Sequence, residues 1–308
     1  MNRPNSYNSI DAEEEIVISG IAGRFPNSDN LKEFQENLFN KVDLGSSDHR
    51  RWNKSYYSMP HRIGQVNNIE KFDSEFFNIP ATEAHIMEPM SRMLLEHTYE
   101  AIIDAGVNPK ELQGTRTSVL TALSVSETRS YFSFKPELAR LSMIGYNVSF
   151  VANQISYWLG VTGQSHNIDT ACNSSNVAIV KAYELIRSGE CDAAIIASAN
   201  LCLHPHIQIL FYNLGVLSPN GYCKPFDEEG AGYMRSDTVA VRNRSTDAEF
   251  ISLLHHIHND NIEGHLYREY MITKSKISHN TIIKIEHTPY TKRPICFIFS
   301  GLGSQCLE

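Results

Sequence analysis

Cys172 carries the strongest chemical signal in the sequence, because of what flanks it. A short extended run from Ser165 to Asp169 meets two small turn-type residues, Thr170 and Ala171, and the cysteine follows. Behind it Asn173 and Ser174 are cap-type residues, and Val177, Ala178, Ala182, Leu185 and Ile186 recur at helical spacing. The spacing puts the thiol where a strand ends and a helix begins. Backbone N–H groups at a helix start favour the thiolate over the thiol, which makes such a sulfur a nucleophile near neutral pH. Small neighbours leave room for a substrate. The competing reading is a buried, inert thiol, the usual state of a free cysteine. A second cluster, His255, His256, His258 and His265, has the residue type of a metal site. No cysteine or acid is placed to complete it, so the expectation is helix-surface histidines and no metal.

The elements that must position the thiol follow from apolar spacing. Glu15 to Ile21 reads as a strand, closed by a turn at Gly20 and Gly23. Leu31 to Phe39 reads as an amphipathic helix with Leu31, Phe34, Leu38 and Phe39 on one face. Residues 41–70 carry no regular pattern. Pro89 suits the first turn of a helix, whose stripe of Met93, Leu94, Tyr99, Ile102 and Ile103 marks it as core and whose end is set by Gly106. Thr117 to Leu123 reads as a strand and Asn147 to Leu159 as a helix. The small, apolar run from Asp192 to Ala199 predicts a central strand covered on both faces. His204 to Gly215 reads as a helix and Ser218 to Gly221 as a turn. Strands alternating with helices imply a layered α/β fold.

Composition narrows the function classes. The 308 residues are 42% hydrophobic and 20% charged, as expected of a globular chain with a real core. Twenty-seven basic against 35 acidic side chains leave a net charge of −8, which argues against a nucleic-acid surface. No secretory signal opens the chain and no apolar run is long enough to span a bilayer, so the expected location is cytoplasmic. The six cysteines, Cys172, Cys191, Cys202, Cys223, Cys296 and Cys306, lack metal-type spacing and read as reduced thiols.

Asp169-Thr170-Ala171-Cys172-Asn173-Ser174-Ser175 resembles the nucleophile motif of β-ketoacyl synthases, Asp-Thr-Ala-Cys-Ser-Ser-Ser. Further pieces resemble the same family in the same order. Ile16 to Pro26 is similar to its opening, and Phe72 to Phe77 with Glu88-Pro89-Met90-Ser91-Arg92 is similar to its Asp-Phe-Phe … Asp-Pro-Gln-x-Arg signature. Here Glu88 and Met90 replace the usual Asp and Gln. Asn153-Gln154-Ile155-Ser156 resembles Asn-Arg-Leu-Ser, with Gln154 for Arg. Lys224-Pro225-Phe226-Asp227 and Gly232-Tyr233-Met234-Arg235-Ser236-Asp237 resemble Arg-Pro-Phe-Asp … Gly-Tyr-x-Arg-Ser-Glu. The likeness is to the ketosynthase of an animal or insect-type multifunctional fatty acid synthase; polyketide synthases share the pattern.

The resemblance implies a thiolase-like layered α/β/α fold, of which the N-terminal half alone is present at 14–241, after a flexible N-terminus at 1–13. Beyond 242 the likeness changes. Residues 242–292 look like a later linker with some α/β structure, and Arg293 to Gln305 looks like the first strand and turn of an acyltransferase domain, so 293–308 would begin that domain. The family's decarboxylating histidines lie in His-Gly-Thr-Gly-Thr and Asn-x-Gly-His motifs, which this sequence lacks. His166, His204 and His206 match neither.

By the same resemblance Cys172 carries an acyl thioester, and its own backbone N–H is one oxyanion donor. No cofactor is bound directly; acyl and malonyl thioesters arrive on the phosphopantetheine of an acyl carrier protein. The family is homodimeric, and neither nucleic acid nor membrane is an expected partner. Without the second half, the face of the sheet that includes 192–199 should lose its cover. The alternative function is a catalytically inactive remnant that at most associates with a full-length synthase.

Overall fold

The computed structural model describes residues 16–48, 50–52, 59–129, 147–245, 267–272 and 282–287. The residues up to 245 belong to one compact unit, and the strands at 267–272 and 282–287 to a second.

The first unit is built on a five-stranded mixed sheet. Its strands are β1 (Val17–Arg24), β4 (Thr117–Ala122), β5 (Ser165–Asn167), β6 (Ala193–Asn200) and β7 (Thr238–Ser245), in the spatial order β1-β7-β6-β4-β5. A two-residue pair, β2 (Gly45–Ser46) with β3 (Ile63–Gly64), stands apart in the irregular region. The helices are α1 (Leu31–Phe39), α2 (Ala81–Ile86), α3 (Pro89–Asp104), α4 (Val148–Leu159), α5 (Ser174–Arg187) and α6 (Pro205–Asn213). Strands β4, β5 and β6 run parallel, while β7 is antiparallel to both β6 and β1. The sheet therefore has one parallel side, whose strand ends all point the same way.

Helices cover both faces. Ile195 and Ala197 of β6 join one core cluster with Met90, Leu94 and Ile102 of α3 and Ile155 of α4. Ala194 and Ile196 point the other way, into a cluster with Ala178, Ala182, Leu185 and Ile186 of α5. This alternation follows from the two-residue period of a strand, and apolar residues on both faces are what a covered central strand requires. The expected loss of cover over 192–199 is not found: Ala194 to Ala197 are at most 3% exposed. The apolar side chains left open in this layer belong instead to the outer face of α5, at Val180 and Tyr183.

Helix boundaries follow the sequence signals closely. Asn147 caps α4, its side chain accepting from the Ser149 amide at 3.1 Å, and Gly160 closes it in the left-handed region at φ 65°. Pro89 opens α3, and Gly106 follows its end at φ 74°. Helix α1 spans the expected residues but buries none of its side chains; Phe34 stacks on Phe25 at 4.1 Å, while Phe39 is exposed.

Two expectations need correction. The strand β1 does not turn at Gly20 and Gly23; it runs through both to Arg24. A Cβ at Gly20 would lie 2.1 Å from the Ala101 carbonyl oxygen and 2.7 Å from the Ala105 amide nitrogen. The glycine is there because α3 lies directly on the strand, not to reverse the chain. Replacing Gly20 with Ala is expected to lower stability by about 3 kcal/mol, since the clashing atoms are backbone and cannot rotate away. A shift in the urea midpoint equivalent to less than about 0.5 kcal/mol would contradict this packing. Secondly, β7 was not anticipated, although Val239 and Val241 alternate with Thr238, Ala240 and Arg242 and both are fully buried.

The second unit contributes one antiparallel pair, β8 (Tyr267–Ile272) with β9 (Ile282–His287). The histidines His255, His256, His258 and His265 and the 293–308 segment lie outside the described residues, as do Cys296 and Cys306. Among the described residues no cluster could hold a metal ion, and no helix is long and apolar enough to cross a membrane.

Candidate active site

The parallel strands β4, β5 and β6 end on one edge of the sheet, and the chain segments that follow them gather there. Because β7 begins opposite Asn200, the segment before it reaches the same edge. Open α/β sheets bind ligands beyond the carboxyl ends of their strands. Cys172 lies on this edge.

The thiol is exposed, on a single 3-10 turn, Ala171–Asn173, between β5 and α5. The reading as a buried, inert thiol is thereby set aside; Cys191 and Cys202 are the buried ones. Ala171, immediately before it, has φ 54°. A non-glycine residue in the left-handed region costs about 1–2 kcal/mol and persists only where its neighbours hold it. Here both of its backbone groups are held. Its N–H donates to Asp169 Oδ1 at 3.0 Å, and its carbonyl accepts from Ser174 Oγ at 2.6 Å. Ser174 Oγ also accepts from the Thr170 amide at 2.9 Å. Asn173 occupies the cap position of α5, but its side chain bonds to Asn176 Nδ2 at 3.0 Å and not to a helix amide. The first turn of α5 thus receives no side-chain cap, which leaves its N–H groups available to a charge at the turn.

Asp169 accepts a further hydrogen bond from Ser124 Oγ, at 2.6 Å. The Ser124 hydroxyl first, and the Ala171 amide second, hold the Asp169 carboxyl below the usual carboxylate range. It therefore acts as an anionic clamp on the turn at neutral pH.

The segment Gly232–Asp237 leads into β7 at this edge of the sheet. Burial pushes the Tyr233 phenol up, against the opposing pull of the Arg235 charge. Arg235 is buried and paired with Glu127 at 2.8 Å, their side chains 5% and 2% exposed. The second oxygen of Glu127 accepts from two successive amides, Leu203 at 2.7 Å and His204 at 2.6 Å. Asp237 is fully buried and joins three segments. It accepts from the Cys202 amide at 2.6 Å, the Val66 amide at 3.0 Å and Arg51 Nη2 at 2.7 Å.

The motif at 232–237 was legible as a motif, but its work was not. Glu127 carried no sequence signal, because its partners lie 76 to 108 residues away. Glu88, noted as a departure from the usual Asp, is buried at the start of α3 and accepts from Ser126 Oγ at 2.5 Å and Thr128 Oγ1 at 3.0 Å. His166 lies on β5, and the His204 ring caps α6 by accepting from the His206 amide at 3.2 Å. A groove of about 790 Å³, lined by Phe76, Tyr99 and Trp158 among others, sits before β4 and β5. That is the opposite edge of the sheet from Cys172.

The profile described as Beta-ketoacyl synthase, N-terminal domain, matches residues 13–242. A goose (Anser anser anser) protein named Fatty acid synthase is 48% identical over 229 residues, covering 74% of this chain and 65% of that sequence. Probable polyketide synthase 34 of Dictyostelium discoideum is 30% identical over 303 residues, covering 91% of this chain and 10% of that sequence. Among solved structures, the oxazolomycin ketosynthase domain of Streptomyces albus JA3453 superposes with a TM-score of 0.71 at 28% identity, covering 78% of this chain and 45% of that one. A ketosynthase from module 6 of the bacillaene synthase of Bacillus subtilis 168 gives 0.69 at 28% identity, covering 86% and 45%. The chain thus spans 65% of the goose sequence and under half of each ketosynthase structure.

Proposed function

The chain belongs to the β-ketoacyl synthase family, with that family's thiolase-like fold, and on that premise we propose that Cys172 is its acyl-accepting nucleophile. The observation that carries the proposal is the exposed thiol on a strained turn between strand and helix. The sulfur attacks the carbonyl of an acyl thioester, the tetrahedral oxyanion collapses, and the carrier thiol leaves with the proton. The backbone N–H of Cys172 serves as one oxyanion donor. The donor substrates are acyl chains on the phosphopantetheine of an acyl carrier protein; no cofactor is held directly. The class of reaction is acyl transfer within fatty acid synthesis, in the cytoplasm, and the goose relative supports fatty acid over polyketide synthesis through its higher identity.

Condensation with a malonyl unit needs general acid/base groups to promote loss of carbon dioxide, each worth about two to four orders of magnitude. The family's histidine motifs have no counterpart in this sequence. The chain by itself therefore performs acylation and not elongation; the second half of a ketosynthase would have to supply the rest. The absence of those motifs also favours a second reading, a partner that only associates with a full-length synthase. A homodimer is part of the proposal, supported by the edge position of β5 and the exposed Val180 and Tyr183 on α5. Residues 242–292 act as a linker and 293–308 begin an acyltransferase domain, a division that rests on the sequence resemblance of Asp247 to Arg268 and of Arg293 to Gln305.

The test is to incubate the chain with decanoyl-pantetheine, then malonyl-pantetheine, and map the adduct by peptide mass spectrometry. The expected result is a decanoyl group on the Cys172 peptide that is not extended by two carbons. Extension would overturn the division of labour, and absence of the adduct would leave the non-catalytic reading.

A further inference from the structure

The loop after β4 is tied to three places at once. At its start Ser124 Oγ donates to Asp169 Oδ1 at 2.6 Å and lies 3.4 Å from Ser174 Oγ. Those two residues hold the backbone N–H and carbonyl of Ala171. Two residues on, Ser126 Oγ reaches Glu88 at the start of α3. Glu127 binds Arg235 and the amides of Leu203 and His204. The far end of the loop is thus anchored in buried charge, and its near end reaches from outside into the turn that carries Cys172.

We propose that Ser124 is a positioning residue for Cys172: its hydroxyl braces Asp169, and through Asp169 holds Ala171 in the left-handed conformation that sets the sulfur at the start of α5. The inference rests on the acyl-accepting role proposed above. The physical need is plain. Ala171 is held in the left-handed region at φ 54° and relaxes unless its hydrogen-bond partners are themselves fixed. A hydrogen bond to a carboxylate is stronger than one between neutral groups, strong enough to hold that strain in place. Ser124 is exposed and reaches the Cys172 turn through Asp169, with Ser174 a longer second contact, so it acts on geometry and not on bond making.

Cys223 provides an internal reference, since it too is exposed but lies outside the turn. The experiment measures, by peptide mass spectrometry, the rate of iodoacetamide alkylation at Cys172 relative to Cys223 in the full chain. Ser124→Ala is expected to lower that ratio about tenfold, the effect of losing one hydrogen bond to a charged group. Ser124→Thr keeps the hydroxyl and is expected to restore it, with the unfolding midpoint of both variants close to the parent. An unchanged ratio in Ser124→Ala would overturn the proposal, and so would a fall that Ser124→Thr fails to reverse, because the role would then be packing. The alkylation ratio decides the matter even if decanoyl-pantetheine does not acylate the parent chain, an outcome that would count against the acyl-accepting role alone.

Discussion

Replacing Asp237 with alanine is expected to cost about 3–5 kcal/mol of folding stability, the usual result of breaking a buried ion pair from one side. The carboxylate is fully buried, and the Arg51 side chain paired with it is 8% exposed. Removing it leaves the buried Arg51 guanidinium without its counter-charge and the amides of Cys202 and Val66 without their acceptor. Each orphaned donor adds its own desolvation penalty. Since a domain's whole stability is about 5–15 kcal/mol, the variant should sit near its unfolding threshold at ambient temperature. Urea titration followed by far-ultraviolet circular dichroism measures this. A loss under about 1 kcal/mol would mean that the three segments are joined by something other than Asp237.

The second large effect is a pH dependence centred on Glu88. Burial pushes its carboxyl up to about 7, against the opposing pull of the Ser126 and Thr128 hydroxyls. In the unfolded chain it titrates near 4.5. The folded state therefore binds the proton more tightly. Its contribution to stability is fully present below about 4.5 and is lost as pH rises through about 7. The full swing is about 3 kcal/mol, at roughly 1.4 kcal/mol for each unit of displacement. Glu88→Gln keeps the size and an acceptor oxygen but carries no charge to bury. It should be more stable than the parent at pH 8 by about 3 kcal/mol, with the difference vanishing near pH 4. Parallel stability–pH curves for parent and variant would contradict this, since subtraction removes every other titrating group.

Much of the scaffold could be read from spacing because the signals are local. Asn147 and Gly160 bound α4, Pro89 and Gly106 bound α3, and the run from Ala193 to Ala199 is apolar on both faces because helices cover both. Reading failed where the cause lies far along the chain. Gly20 looks like a turn residue until Ala101 is seen against it. The mixed character of the sheet depends on β7 pairing with both β1 and β6, 215 to 228 residues away along the chain in the first case and 38 to 52 in the second. Cys172 was legible because a thiol among small residues at a strand–helix junction has a local chemical meaning. The supports of that junction were not: Ser124 and Glu127 are ordinary polar residues until folding brings Asp169 and Arg235 to them. The positive φ at Ala171 has no signature in an alanine side chain, and only the pinned backbone on either side reveals it.

The most direct test is the intact mass of the chain after incubation with an acyl-pantetheine, compared among the parent, Cys172→Ala and Cys223→Ala. The account predicts one acyl group per chain in the parent and in Cys223→Ala, removable by hydroxylamine as a thioester is, and none in Cys172→Ala. An acyl group that persists in Cys172→Ala, or one that follows Cys223, would contradict it.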